Sequence, residues 1–246
     1  MKNARTALCW LVHALTASSA VLGIWSIYFA TRQQMHLAFL LLLLTILIDS
    51  IDGPIARAVN VKKYTNEFDG ALLDNIVDFF TWTLAPCFYL IHQPLFPFAT
   101  TLALTSGIIF ASSYQFCCQD AKIGGRYFKR FPSVWSPTII ALYLLPWPSA
   151  LKCTLLVICI VFSFIPIYVP KPFYNATMHL NKHVNSLFNF LNNIENIALV
   201  SACIIGALLY PHPSIWVSMT LSVCIPIRIV LWLTTSYTVH RHQLDA

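Results

Sequence analysis

Apolar residues fill most of this chain and fall into eight stretches separated by short polar segments. A helix that crosses a membrane needs about 20 mainly apolar residues. The pattern therefore predicts an all-α polytopic membrane protein of about eight transmembrane helices, at residues 9–31, 36–56, 71–92, 95–116, 133–148, 150–169, 189–210 and 213–236. No obvious repeat or long linker divides them, so residues 1–246 are expected to form a single membrane domain.

Acidic side chains interrupt the apolar pattern at one place. Six of the nine carboxylates lie between Asp49 and Asp78. Asp49 and Asp52 close the second apolar stretch, and Asp74 and Asp78 open the third. A charged side chain at the bilayer centre costs about 2.5–3.5 kcal/mol on insertion scales, so these acids need compensation, most directly by cations. Clusters of Asp without Cys or His suit hard, oxygen-preferring ions such as Mg²⁺, Mn²⁺ or Ca²⁺.

The composition fits a membrane setting. Charged residues make up 10% of the chain, against about 25% in a soluble domain. The net charge of +6 is spread over short loops, which argues against a nucleic-acid partner. The eight cysteines lie mostly inside apolar stretches without a CxxC pair, which favours packing roles. The first apolar stretch follows Lys2 and Arg5, as in a signal peptide, but it continues unbroken and is expected to be a retained helix.

Loop charges predict the orientation, since cytoplasmic loops are enriched in Lys and Arg. With a cytoplasmic N-terminus and alternating spans, only Arg32 and Lys152 lie outside. Twelve basic residues then lie inside: Lys2, Arg5, Arg57, Lys62, Lys63, Lys122, Arg126, Lys129, Arg130, Lys171, Lys182 and Arg241. Both termini and the acidic cluster are therefore expected at the cytoplasmic face.

Helical spacing shapes the acidic cluster. Asp74 and Asp78 are four residues apart and so share one helix face. Two helix ends that each offer a pair of carboxylates are suited to enclose two divalent ions, a common device in phosphoryl chemistry. Gly53 and Gly70 lie close to the acids and would let a ligand approach the backbone. A single Asp at a helix end is more often a solvated cap, but the complete set favours a metal site.

The segment resembles the signature of the CDP-alcohol phosphatidyltransferase family. The matching residues are Asp49-xx-Asp52-Gly53-xx-Ala56-Arg57 and Gly70-xxx-Asp74-xxx-Asp78. Twelve residues, Ala58 to Asp69, separate the two halves, where most members have about eight. This longer spacer is similar to the bacterial phosphatidylcholine synthase branch, as are the stretches WLVHALTA, FDGALLDNIVDFFTW and RYFKRFPSVW. Ser136 departs from that branch, in which an asparagine is expected after the tryptophan.

The resemblance implies transfer of the phosphatidyl group of CDP-diacylglycerol to choline, with release of CMP and the help of two Mn²⁺ or Mg²⁺ ions. It gives the metal sites to the four aspartates Asp49, Asp52, Asp74 and Asp78, with Asp78 also the general base. Nucleotide and phosphate contacts are expected from Asp52, Gly53, Ala56, Arg57 and Gly70, and from Lys122 and Arg126 in the basic loop. Candidates for the choline ammonium are Tyr114, Trp135 and Glu195, since aromatic faces and acids bind quaternary ammonium groups. The resemblance also implies a bacterial inner-membrane location among membrane lipids, and a homodimer is possible.

Several alternatives stay open at this stage. Another acceptor, such as serine, inositol or glycerol phosphate, fits the same signature. A divalent-cation transporter would instead place its acids near the bilayer midplane on broken helices, whereas these acids lie at one face. Glu195 is either a choline counter-charge, a partner of Arg228 or an exposed residue, and His13 is expected to be a hydrogen-bonded helix residue. Glu67 and Asp69 either surround the nucleotide or face water.

Overall fold

The computed structural model describes residues 2–123, 127–171 and 182–244, and helices occupy each of the eight predicted apolar stretches within them. The helices are α1 (Lys2–Thr31), α2 (Met35–Val59), α3 (Val61–Tyr64), α4 (Gly70–Asp78), α5 (Ala85–His92), α6 (Phe98–Cys117), α7 (Trp135–Leu144), α8 (Ser149–Phe162), α9 (Lys182–Leu209) and α10 (Ile215–Leu244). The largely helical, apolar character predicted from the sequence is thus confirmed.

Not every helix is long enough to cross a bilayer unaided. In the described part of the chain, four helices have the length and composition of a membrane span, at residues 4–31, 35–59, 185–209 and 215–239. Helices α7 and α8 are apolar but have only 10 and 14 residues. At a rise of 1.5 Å per residue, α7 is only about 15 Å long. The count of eight spans therefore stays a prediction.

The third apolar stretch is one continuous helical segment with a wider turn in its middle. A π-helical turn, Phe79–Leu84, joins α4 to α5 directly after Asp78. Such turns are rare in proteins, but those that occur are often found at functional sites. The Ser136 hydroxyl of α7 donates a hydrogen bond to the Thr81 carbonyl in this turn, at 2.6 Å. The serine that departs from the expected asparagine is thus buried and fixes the segment that follows Asp78.

Two hydrophobic clusters hold the helices together. The first joins α1, α2, α5, α7, α9 and α10 around Phe39, Leu42 and Tyr89. The second joins α5, α6, α7, α8 and α10 around Ile108, Phe131 and Trp135. Because α5 contributes to both clusters, the continuous helical segment that carries Asp74 and Asp78 is anchored in both of them.

A small antiparallel sheet, which the sequence pattern did not predict, adds to the helices. Its strands are β1 (Lys122–Ile123), β2 (Tyr127–Lys129) and β3 (Tyr168–Pro170), in the order β1-β2-β3. In register, Phe128 lies opposite Lys122 on one side and Val169 on the other. Strands of two or three residues are too short to show an alternating pattern. The sheet ties the segment after α6 to the segment after α8.

Candidate active site

Three of the four predicted metal-binding aspartates meet between the C-terminal half of α2 and helix α4. Asp49, Asp74 and Asp78 each offer a carboxylate oxygen, and these oxygens all lie within 4.8 Å of one another. All three side chains are half-buried. Asp74 and Asp78 lie one turn apart on α4, which puts both on the face turned toward Asp49. The structure therefore brings Asp49 together with two acids that lie 25 and 29 positions further along the sequence.

These carboxylates fit a divalent metal ion. Hard cations bind carboxylate oxygens at about 2.0–2.6 Å, so one ion can contact all three oxygens with little movement of the side chains. The group contains no thiolate or imidazole, which favours Mg²⁺, Mn²⁺ or Ca²⁺ over softer metals.

One stripe of α2 runs outward from the carboxylate group. Asp49, Gly53 and Arg57 are spaced four residues apart and so lie on one helix face. A Cβ atom added to Gly53 would lie 3.4 Å from Arg57 Nη1, so the guanidinium lies over this glycine. The Arg57 side chain is exposed. The stripe thus offers a carboxylate at one end, bare backbone in the middle and a fixed positive charge at the other.

Asp52 lies on a different face of α2 and contacts α1. Its side chain is buried, and its Oδ2 atom accepts a hydrogen bond from the Thr16 hydroxyl at 2.6 Å. Ala56, one turn further on, packs on the same side against the cluster of Cys9, Val12 and Val61. Asp52 is not one of the three carboxylates within 4.8 Å. The two aspartates that close α2 therefore have different surroundings.

The start of α4 is held by a cap and by a close contact with α1. The Asp69 side chain accepts hydrogen bonds from the backbone N–H groups of Ala71 and Leu72, at 3.1 and 3.0 Å. Asp69 is thus the N-cap of α4, and Glu67 is exposed. A Cβ atom on Gly70 would lie only 2.6 Å from His13 Cε1, so the glycine lets α1 and α4 approach. His13 itself is buried and hydrogen-bonded to Thr65 at 3.0 Å, which confirms the expectation for this residue.

The basic segment after α6 is only partly described. Lys122 lies in β1, where its backbone pairs with Phe128; Arg126 lies outside the described residues. Lys129 and Arg130 both form ion pairs with Asp120, at 2.5 and 2.9 Å. Hydrogen bonds from Arg130 and Lys129 lower the pKa of the Asp120 carboxyl to about 2. Two of the basic residues in this segment are therefore already paired with an acid.

Two predicted choline-binding aromatics lie in different surroundings. Trp135 is completely buried, packs on Phe131 at 4.7 Å between ring centroids, and donates its indole N–H to Ser112. The Tyr114 ring is exposed and packs on Phe164, with the Arg130 guanidinium 5.4 Å from its centroid.

The third choline candidate, Glu195, belongs to a buried polar contact between α9 and α10. Its carboxylate forms an ion pair with Arg228, and Arg228 also donates to Asn196 Oδ1 at 2.8 Å. The Glu195 side chain is buried. Of the roles considered for Glu195, the partnership with Arg228 is the one found. Each of the three candidates for choline binding, Tyr114, Trp135 and Glu195, therefore has a partner within the protein.

Sequence reasoning missed the role of Thr16, whose hydroxyl fixes Asp52. The stretch that contains Thr16 was noted only as part of a family resemblance, because a threonine inside an apolar helix carries no pattern of its own. The role of Ser136 in the π-helical turn was also missed, since wide turns have no signature in the sequence.

Comparison with known proteins agrees with the geometry. The family model of the CDP-alcohol phosphatidyltransferase matches residues 10–165, a range that contains the carboxylate group, Arg57 and Thr16. The phosphatidylcholine synthase of Legionella pneumophila is 34% identical over 214 residues, which cover 86% of this chain and 82% of that protein. The phosphatidylcholine synthase of Borreliella burgdorferi is 36% identical over 182 residues, 74% of this chain and 77% of that protein.

The similarity to a third relative extends over almost the whole length of that relative. The phosphatidylcholine synthase of Legionella bozemanae is 32% identical over 205 residues, 83% of this chain and 92% of that protein. The family model extends across the residues that form the site. The chain therefore belongs to the CDP-alcohol phosphatidyltransferase family.

Proposed function

We propose that this chain is a phosphatidylcholine synthase, which transfers the phosphatidyl group of CDP-diacylglycerol to choline and releases CMP. The observation that carries the proposal is the group of Asp49, Asp74 and Asp78, in a chain that resembles phosphatidylcholine synthases over most of its length. The site offers what the reaction needs: carboxylates for cations and a proton, and a positive charge for phosphate.

The resemblance to the family supports a role for each site residue. Asp49, Asp74 and Asp78 hold the divalent metal, and Asp52 completes the set for a second ion. When bound, Mg²⁺ or Mn²⁺ neutralises the pyrophosphate and stabilises negative charge on the reacting phosphate. Arg57 binds phosphate oxygens through charge-assisted hydrogen bonds. The backbone at Gly53 and at Gly70 gives the nucleotide a close approach that a side chain would block, and Ala56 keeps α2 packed on α1.

Asp78 is the proposed general base. The choline hydroxyl has a high pKa and needs a base within reach before it attacks. Asp78 accepts the hydroxyl proton as the choline oxygen forms its bond to phosphorus. The bond between that phosphorus and the CMP oxygen breaks, and CMP leaves with the electron pair as a phosphate anion. The hydrogen bond from Ser136 to the Thr81 carbonyl holds the π-helical turn that follows Asp78.

We further propose eight spans with both termini in the cytoplasm and the carboxylate group at the cytoplasmic face of a bacterial inner membrane. The supporting observation is the excess of Lys and Arg in the predicted cytoplasmic loops. Lys122 and Arg126 stay proposed phosphate contacts in one such loop. The proposal includes a single domain, since no long linker divides the sequence, and a homodimer, which the family resemblance implies.

The purified protein in detergent tests this function. We expect CMP release from CDP-diacylglycerol to depend on choline, with much lower rates for serine, inositol and glycerol phosphate. Chelator should stop release, and Mg²⁺ or Mn²⁺ should restore it. Faster turnover with another acceptor would contradict the assignment of choline. Full turnover in excess chelator, with metal content measured as zero, would contradict the metal-assisted mechanism.

A further inference from the structure

The hydroxyl of Thr16 donates its hydrogen bond to a side chain of another helix. Threonines inside helices commonly donate to the carbonyl four residues earlier. Thr81, Thr105 and Thr235 do so here, at 2.9, 2.9 and 2.8 Å. In Thr16 the corresponding distance, to the Val12 carbonyl, is 3.4 Å, whereas the distance to Asp52 Oδ2 is 2.6 Å. The single hydroxyl proton is therefore directed at Asp52 and away from its own helix.

This hydrogen bond fixes a buried carboxylate. Asp52 is 5% exposed and Thr16 is 8% exposed, so water does not compete strongly for either group. A charge-assisted hydrogen bond in such a place is stronger than a neutral one. With Oδ2 held by Thr16, the carboxylate cannot rotate freely, and the direction of Oδ1 is set as well.

The same face of α1 also touches the other half of the site. His13 lies three residues before Thr16 and so on the same side of α1. Its ring contacts the position of Gly70 at the start of α4, and its Nε2 atom is hydrogen-bonded to Thr65 in the connection between α3 and α4. Helix α1 therefore contacts the helix that carries Asp52 and the helix that carries Asp74 and Asp78.

We infer that Thr16 is a positioning residue for the proposed metal centre: its hydroxyl orients Asp52 toward the metal. The inference rests on the proposed function, in which Asp52 serves a second ion. Groups that orient a metal ligand in this way contribute strongly to affinity, and their loss typically weakens metal binding about 10–100-fold.

The variants Thr16→Val and Thr16→Ser separate the hydroxyl from the shape of the side chain. Valine matches threonine in shape but cannot donate, and serine keeps the hydroxyl. Thr105→Val is the matched control, because Thr105 is also buried and bonds only to carbonyls of its own helix. Each purified protein is stripped of metal and titrated with MnCl₂, with free Mn²⁺ followed by its electron paramagnetic resonance signal.

We expect Thr16→Val to weaken binding of Mn²⁺ about 10–100-fold at one site, while Thr16→Ser and Thr105→Val bind as the wild type does. The metal-free Thr16→Val protein should melt at a lower temperature than the wild type, because it loses a hydrogen bond to a buried carboxylate. Added Mn²⁺ should raise the melting temperature of Thr16→Val by less than it raises that of the wild type. Wild-type affinity in Thr16→Val, or equal weakening in Thr105→Val, would overturn the inference and leave the proposed transfer reaction standing. Failure of the wild type to bind Mn²⁺ would overturn the proposed metal centre together with the inference.

Discussion

At the scale of single residues, the four signature aspartates divide into three that face one another and one that faces α1. Asp49, Asp74 and Asp78 lie together at the open side of the site, whereas Asp52 is buried against Thr16. Arg57 lies over Gly53, on the helix stripe that begins with Asp49. In the proposed function, the negative group and this guanidinium hold the two ends of a metal-bound pyrophosphate.

Arg57→Ala should raise the KM for CDP-diacylglycerol without changing the KM for choline. A hydrogen bond to a charged group contributes about 1.5–3 kcal/mol, so we expect the KM for CDP-diacylglycerol to rise about 10–150-fold and the KM for choline to stay unchanged. Steady-state kinetics with each substrate varied in turn measures both values. Lys62→Ala removes an exposed cation of α3 and serves as control; an equal rise in that variant would show that general surface charge is responsible.

Trp135 and Glu195 should affect stability rather than choline recognition. Trp135 fills the core, and truncation of a buried tryptophan to alanine typically costs about 3–5 kcal/mol. Glu195→Gln removes the carboxylate that pairs with Arg228, and breaking a buried ion pair also costs about 3–5 kcal/mol.

Melting temperatures in detergent should fall in Trp135→Ala and Glu195→Gln and stay close to wild type in Tyr114→Ala, whose side chain is exposed. The choline KM of all three should match that of the wild type. A raised choline KM at unchanged melting temperature would restore the corresponding residue to the acceptor pocket.

At the scale of helices, α1 is the element that aligns the two halves of the site. It bonds to α2 through Thr16 and Asp52, and it meets α4 where Gly70 faces His13. The cap formed by Asp69 and the π-helical turn bonded by Ser136 then fix α4 at its two ends. The positions of the carboxylates therefore depend on contacts made by residues outside the family signature.

Gly70→Ala should disturb this alignment, because the new methyl group would lie 2.6 Å from His13 Cε1. His13 is held by Thr65 and cannot move away freely. We expect a lower melting temperature and a loss of transfer activity. Gly53→Ala is the matched control for stability, since its methyl group would meet only the flexible end of Arg57, at 3.4 Å. An unchanged melting temperature and full activity in Gly70→Ala would contradict the close packing of α1 and α4.

The sequence pattern was sufficient to locate the helices and the acidic residues, but not the small sheet, the π-helical turn or the partners of the site residues. Apolar stretches located the helices because burial in lipid imposes a long, simple pattern, and the spacing of Asp74 and Asp78 placed both on one face. The partner of Asp52 and the cap role of Asp69 depend on which helix packs beside which, information that no local pattern carries. The partners of two choline candidates likewise could not be predicted: Trp135 and Glu195 are buried with partners on neighbouring helices.

At the scale of the whole molecule, the proposed orientation places the ends of α2 and α6 and the start of α4 at one membrane face. Phe79, which follows Asp78, packs on Phe116 near the end of α6, with ring centroids 5.8 Å apart. Exposed Cys117 directly follows Phe116 and therefore reports the side on which the carboxylate group lies.

Labelling of Cys117 tests this orientation. We expect a membrane-impermeant maleimide to label the protein in inside-out vesicles but not in intact spheroplasts, because Cys117 would face the cytoplasm. Cys117→Ser should abolish most of the label and identify the site. Labelling from the periplasmic side would contradict the proposed topology.

Transfer of labelled choline into lipid tests the central claim most directly. Wild-type protein reconstituted in liposomes with CDP-diacylglycerol and Mn²⁺ should convert [methyl-¹⁴C]choline into radioactive phosphatidylcholine. Asp74→Asn and Asp78→Asn should both abolish this, and Asp78→Asn should retain more binding of CDP-diacylglycerol, since its main loss is the base. Wild-type incorporation by Asp78→Asn would remove Asp78 from the mechanism. A wild-type protein that forms no labelled lipid would contradict the account as a whole.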